Sequence, residues 1–416
     1  MQVSRRLFSG AMIGGVAASL AACSGGGSKG SGSKTKEVIL WGGSSDEAAK
    51  PIFAIVDKFN TSQDEYKAKY VIQKELEQKL LTGLASGQVP DVVIWDRWMT
   101  SLYAPKKAFV EMGPLLEKDN ISTDDFYDQA LRELTVNDKI YGLPFTVDNR
   151  SLFYNEELLD KAGVKPPTNW DELLDVAVKT TQRSGKTLKV SGFMLDDVGL
   201  FNMWIRQAGG QMISDDMKTV AFNSPEGLSV LRFWRQMMDE GVYELGFGKG
   251  GMPFPAGQVA QTYTGPWSFT DFDKAKSLKY GVTEPPAGPK GDKAAGMGGH
   301  GLVLPAGSKN QDGGWAFIKW MADKANALEY GKLSGQIPGN RTAANDDFFT
   351  KSPKYGAIIK AMDYATVRPE VKGYSDVEGK ALIPELQKFM SKQVTAEQAL
   401  AKAEELGNKI LKDNAK

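Results

Sequence analysis

Few residues in this chain are able to do covalent chemistry, and their types limit what that chemistry is. The single cysteine, Cys23, directly follows Leu20-Ala21-Ala22 at the end of an apolar run that begins behind Arg5-Arg6. Small residues before a cysteine suit a signal peptidase, and the cysteine that follows is the residue that lipid acylation uses. Residues 1–22 are therefore expected to be a removable signal peptide and Cys23 the lipidated residue. A membrane-spanning helix fits less well, because residues 7–22 fall short of the roughly 20 needed to span a bilayer. An ordinary cleaved signal leaves the position of the sole cysteine unexplained.

With no second cysteine there is no intramolecular disulfide. The one histidine, His300, lies in the run Gly298-Gly299-His300-Gly301. One histidine and no free thiol supply too few donors for a zinc or redox site, and a serine or cysteine hydrolase triad would need that same histidine. No catalytic residue, metal or cofactor is expected. Nine tryptophans and 10 % aromatics offer a different chemistry. Flat indole faces can receive the C–H groups of a ligand ring.

These side chains need elements to hold them. Removal of the signal leaves 394 residues with two more acidic than basic groups. So near-neutral a body has no electrostatic footprint for nucleic acid. Its length exceeds what one hydrophobic core usually serves, so two domains are expected. Residues 23–36 comprise the lipidated Cys23 and a Ser/Gly/Lys-rich leash with a typical reach of roughly 20 Å. Val38-Ile39-Leu40-Trp41 predicts a strand, and Asp46 opens a helix with Ile52, Phe53, Val56 and Phe59 at helical spacing. A strand near Lys69 to Gln73 and a helix carrying Leu76, Leu80, Leu81 and Leu84 follow. Gly87 stops that helix, and Asp91 to Trp95 is a third strand.

This β-α-β-α-β pattern with apolar strands predicts a parallel sheet covered on both faces. Farther on, Ile140 to Val147 and Ser151 to Asn155 read as extended. Thr168 with Asp171 suggests a capping box for a helix over Trp170–Thr181. Helices are also expected from Asn223 through Met238, over Trp315 to Met321 and over Ala396 to Leu411. Gly246 to Gly257 reads as a loop, and Gly281 to Gly301 as a long crossing. Ligands of such sheets gather at the carboxyl ends of the strands. That makes Trp41, Ser44 and Ser45 after the first strand, and Trp95 with Asp96 after the third, candidates for ligand contact. His300 is a further candidate, since glycines allow close backbone approach, although plain turn chemistry explains those glycines equally well.

Several segments, taken in order, resemble the family 1 extracellular solute-binding proteins, the lipid-anchored receptors of ABC importers for sugars, with maltose-binding protein as a distant relative. They are Gly87-Gln88-Val89-Pro90-Asp91-Val92-Val93, Tyr103-Ala104, Gly142-Leu143-Pro144 with Leu152-Phe153-Tyr154-Asn155, and Asn169-Trp170-Asp171-Glu172-Leu173. Gly265-Pro266-Trp267, Trp315-Ala316-Phe317-Ile318 and Ile337-Pro338 continue the likeness. Ser4-Arg5-Arg6-Leu7-Phe8 also resembles the start of a twin-arginine export signal, and Sec or twin-arginine export both stay open.

The resemblance implies an α/β fold of two lobes, with a ligand cleft between them and crossing hinge segments. Chain order in the family implies one lobe from 37–146 plus 297–344 and another from 147–296 plus 345–416, with bends near Thr146, Gly296 and Asn345. By the same likeness Trp95 and Trp267 are stacking positions, Trp204 is a second-lobe aromatic, and Asp148 is a carboxylate accepting ligand hydroxyls. Arg341 and Tyr374 are candidate second-lobe or rim contacts. Carboxylates suit hydroxyls because charge-assisted bonds are the stronger ones. Gly43-Ser44-Ser45 departs from the more charged maltose-type stretch, so long maltodextrins are not assumed as ligands.

The function so implied is capture of a sugar or oligosaccharide by lobe closure and delivery to an ABC permease. The protein would be a lipid-anchored monomer on the outer face of the cytoplasmic membrane, extracellular or periplasmic. Two alternatives stand beside it. A polyamine, glycerol-phosphate ester or peptide ligand would want clustered acids, or basic groups and a helix N-terminus. A glycosidase would need Asp96 and Asp148 at a suitable separation.

Overall fold

The computed structural model describes residues 36–44 and 46–415. The expected signal peptide, the expected lipidation site Cys23, nearly all of the expected leash and Ser45 lie outside the described residues. No helix among the described residues is long and apolar enough to cross a membrane.

The amino-terminal β-α-β-α-β pattern forms as its sequence directs. Strand Lys36–Gly42 runs parallel to both Tyr66–Ile72 and Val92–Asp96. The first connecting helix, Asp46–Ser62, places Asp46 and Glu47 in its first turn, where they oppose the helix dipole. It buries Ala49, Ile52, Ile55, Val56 and Phe59. The second, Leu76–Ser86, ends at Gly87 with φ 69°, a left-handed stop that favours glycine.

Two further strands, His300–Val303 and Gly142–Pro144, complete this five-stranded sheet, and both are antiparallel to their neighbours. The three strands of the expected pattern are parallel, and the two added strands make the whole sheet mixed. Both faces are covered, and strand periodicity divides the side chains between them. Val92 and Ile94 enter one core with Leu40, Phe59 and Ile318. Val93 and Trp95 enter the other with Leu80, Tyr103, Phe109 and Val303.

The second half of the fold is built on the antiparallel strands Gln261–Thr264, Ser151–Asn155 and Tyr280–Thr283. Helices Trp170–Thr180, Pro225–Asp239 and Ala396–Asn414 pack around an aromatic-rich core. In that core Trp204 lies 5.2 Å from Trp170 and 6.2 Å from Trp234, between ring centroids. The first of these helices corrects an expected cap. Asn169, not Thr168, accepts from the Glu172 backbone N–H at 2.9 Å. The Glu172 carboxylate reaches back to the Thr168 N–H and hydroxyl, both at 2.7 Å. The carboxylate that returns to the chain is therefore Glu172, one position after the expected Asp171.

A third sheet joins the halves. Its strands, in order, are Ile337–Pro338, Thr146–Asn149, Ala295–Gly298 and Ala365–Thr366. Ile140 to Val147, expected as one extended segment, is broken: Gly142–Pro144 belongs to the first sheet and Thr146–Asn149 to this one. Strand Thr146–Asn149 leads from the five-stranded sheet into Ser151–Asn155 of the second half. Ala295–Gly298 leads from the second half back to His300–Val303 of the first. The fold is two-lobed α/β, and the bridging sheet is made from the segments that pass between the lobes.

Candidate ligand-binding site

Asp148 sits in the bridging sheet opposite Gly298. A Cβ at position 298 would lie 2.8 Å from the Asp148 carboxylate, so glycine there makes room for the acid. The Asp148 side chain is 17 % exposed, with Arg150 Nη1 at 3.8 Å. Burial pushes its carboxyl above the usual carboxylate range. Arg150, Arg97 and His300 oppose that rise, while Asp96 adds to it. A partly desolvated carboxylate with unused oxygen lone pairs is a strong acceptor for a ligand hydroxyl.

The groups around Asp148 line three cavities. One, of about 310 Å³, opens where the parallel strands of the first sheet end, lined by Ser44, Gln73, Glu75, Asp96 and His300. In it the His300 ring approaches the Asp96 carboxylate at 3.5 Å, the two residues being register partners on adjacent strands. A second cavity, of about 830 Å³, belongs to the other lobe and is lined by Arg150, Asp196, Asp197, Tyr243, Phe247 and Trp267 among others. There the Arg150 guanidinium lies 4.3 Å from the Trp267 ring, and the indole is 41 % exposed. Gly265 is needed for this placement, since a Cβ on it would fall 2.1 Å from the indole. The third cavity, of about 520 Å³, lies among Trp98, Arg132, Glu133, Asn137, Arg368 and Tyr374. Arg368 faces the Trp98 ring at 5.1 Å.

The structure therefore places Ser44, Asp96 and His300 in the first cavity and Trp267 in the second, with Asp148 in the bridging sheet beside Arg150 and among the charges of Arg97, His300 and Asp96, and corrects several other expectations. Trp95 is 1 % exposed, with Tyr103 and Phe109 against its ring at 4.7 and 5.2 Å. It borders the first cavity but has almost no open ring surface for stacking, because a sheet covered on both sides buries alternate residues in both directions. Trp204, also 1 % exposed, is core for the same kind of reason. Trp41 is half-buried against the Trp95 cluster and lines none of these cavities.

Arg341 donates to the Asp124 carbonyl at 2.8 Å, anchoring a turn away from them. Tyr374 is 3 % exposed and edges the third cavity from within the core. Burial pushes its hydroxyl pKa upward. The glycines beside His300 serve packing instead of ligand approach: at Gly299, φ 121°, a Cβ would meet the Thr146 carbonyl at 2.3 Å. Ser45 lies outside the described residues.

Arg150 and Arg97 were not among the expected site residues. Each flanks an expected acid, two positions after Asp148 and one after Asp96. In sequence nothing separates them from surface charges.

A family model described as bacterial extracellular solute-binding protein matches residues 54–357. The chain belongs to this family. A putative binding protein of Brucella abortus (strain 2308) is 26 % identical over 318 residues, covering 73 % of this chain and 75 % of the relative. The maltodextrin-binding protein MdxE of Bacillus subtilis (strain 168) is 25 % identical over 381 residues, covering 87 % of each. Among solved structures, an ABC transporter solute-binding protein of Thermotoga lettingae, bound with α-D-tagatose, superposes with a TM-score of 0.80. It is 26 % identical and covers 91 % of this chain and 100 % of its own. The solute-binding protein described here shares that two-lobed architecture.

Proposed function

We propose that this solute-binding protein captures a sugar or oligosaccharide between its lobes and delivers it to an ABC permease, without turning it over. The observation that carries the reading is the position of Asp148. A mostly buried carboxylate lies in the sheet that links the lobes, with the Asp96–His300 pair on one side and the exposed Trp267 indole beyond Arg150 on the other. A polyol asks for both features: a charged acceptor for hydroxyls and a flat apolar face for ring C–H groups. The maltodextrin-binding and tagatose-bound relatives support the same ligand class.

In this reading the lobes are 37–146 plus 297–344 and 147–296 plus 345–416, and they close about bends in the bridging segments. Cys23 carries the lipid that holds a monomeric receptor at the outer face of the cytoplasmic membrane. A thermal-shift panel of mono- and oligosaccharides tests the ligand class. At least one saccharide is expected to stabilise the protein. No shift with any saccharide, together with a shift from another class of small molecule, would overturn the assignment.

A further inference from the structure

Among the described residues, Arg97 is the only basic side chain that is fully buried. Burying a guanidinium is costly unless its donors are met, and three partners on separate segments meet them here. Nε donates to Glu133 at 3.0 Å. Nη1 donates to the Thr146 carbonyl, and Nη2 donates to the Gly298 carbonyl at 2.5 Å. Thr146 and Gly298 belong to neighbouring bridging strands, and Arg97 itself follows directly on the Val92–Asp96 strand of the first sheet. Room for the guanidinium depends on Gly299, where a Cβ would lie 2.6 Å from Nη1.

An apolar side chain would fill this space without the desolvation cost, so packing alone does not account for an arginine. A planar fork able to hold several acceptors in fixed directions does. The residues so held are neighbours of the proposed ligand groups. Asp96 precedes Arg97, Asp148 is two residues beyond Thr146, and His300 is two beyond Gly298. The His300 N–H also donates to the Thr146 hydroxyl at 3.2 Å.

We propose that Arg97 is a positioning residue that clamps the two bridging strands to the first lobe. Through that clamp it fixes Asp96, Asp148 and His300 relative to one another while the lobes move. This rests on the ligand site proposed above and says how its geometry is held.

Hydrogen exchange on the ligand-free, full-length protein tests the clamp independently of ligand identity. In Arg97→Lys, which keeps the charge but loses the fork, peptides covering 145–150 and 295–300 are expected to exchange at least tenfold faster. Peptides from Lys36–Gly42 and Pro225–Asp239 should match wild type. Should that variant fail to fold, Arg97→Met with Glu133→Leu leaves no buried charge unpaired and is expected to show the same local loss. Unchanged exchange in the bridging peptides, or an equal loss in the control peptides, would overturn the proposal. With a binding saccharide in hand, Arg97→Lys should also weaken affinity about tenfold through faster dissociation. If no saccharide binds yet the local exchange effect appears, the clamp stands and the sugar reading alone falls.

Discussion

At the scale of single residues, exposure decides which side chains can meet a ligand. Asp148→Asn keeps the shape but removes the charged acceptor, so it is expected to cost about 1–3 kcal/mol of saccharide binding. At about 1.4 kcal/mol per decade that is roughly tenfold or more in affinity. Trp267→Ala should cost at least about 1 kcal/mol, from the lost ring contact. Trp95→Phe, by contrast, should leave affinity within about twofold of wild type. The Trp95 indole N–H has no hydrogen-bond partner, so that substitution forfeits packing only. Titration calorimetry on the three variants separates these outcomes. A large affinity loss in Trp95→Phe would contradict the burial argument.

The same carboxylate sets a pH dependence. Burial raises the native pKa of Asp148, and that of Glu133, above the unfolded value. The native state then holds more protons across a window opening near pH ~4. Their contribution to stability is complete below that window and declines as pH rises through it. Urea unfolding of wild type and Asp148→Asn between pH 4 and 7 is expected to show the wild-type advantage shrinking with pH. An advantage that grows would contradict the assignment.

At the scale of elements, local patterns identified most helices and strands, and the failures have physical causes. Ser224 and the Thr395–Gln398 capping box start helices at the expected sites, because cap chemistry is local. The cap at Asn169 was displaced by one residue because Thr168 and Asn169 are both capable acceptors, and only the backbone turn selects between them. Asn169→Ala is expected to cost about 1 kcal/mol in urea unfolding, with Thr168→Ala costing less. Equal costs would contradict the assignment.

The antiparallel strands His300–Val303 and Gly142–Pro144 lie far from the first three in sequence. Their pairing direction is a tertiary property that no window of local sequence contains. Burial of Trp95 followed from the expectation of a sheet covered on both faces, but a motif likeness pointed the other way. Arg97 and Arg150 escape any local pattern, since partners such as Glu133, Gly298 and Trp267 come from segments distant in sequence.

At the scale of the molecule, the candidate ligand groups lie near the segments by which the chain passes between lobes. Asp96 and His300 come from the first sheet, Trp267 from the second lobe, and Asp148 from the strand that joins them. A ligand held by all three regions favours the closed arrangement by its differential contacts. The most direct test of this account is a calorimetric titration of wild type with the saccharide that most stabilises it, repeated on Asp148→Asn and Trp267→Ala. The account predicts micromolar or tighter binding by wild type and a loss of about tenfold in Asp148→Asn, with a clear loss in Trp267→Ala. Wild-type affinity in both variants would contradict it.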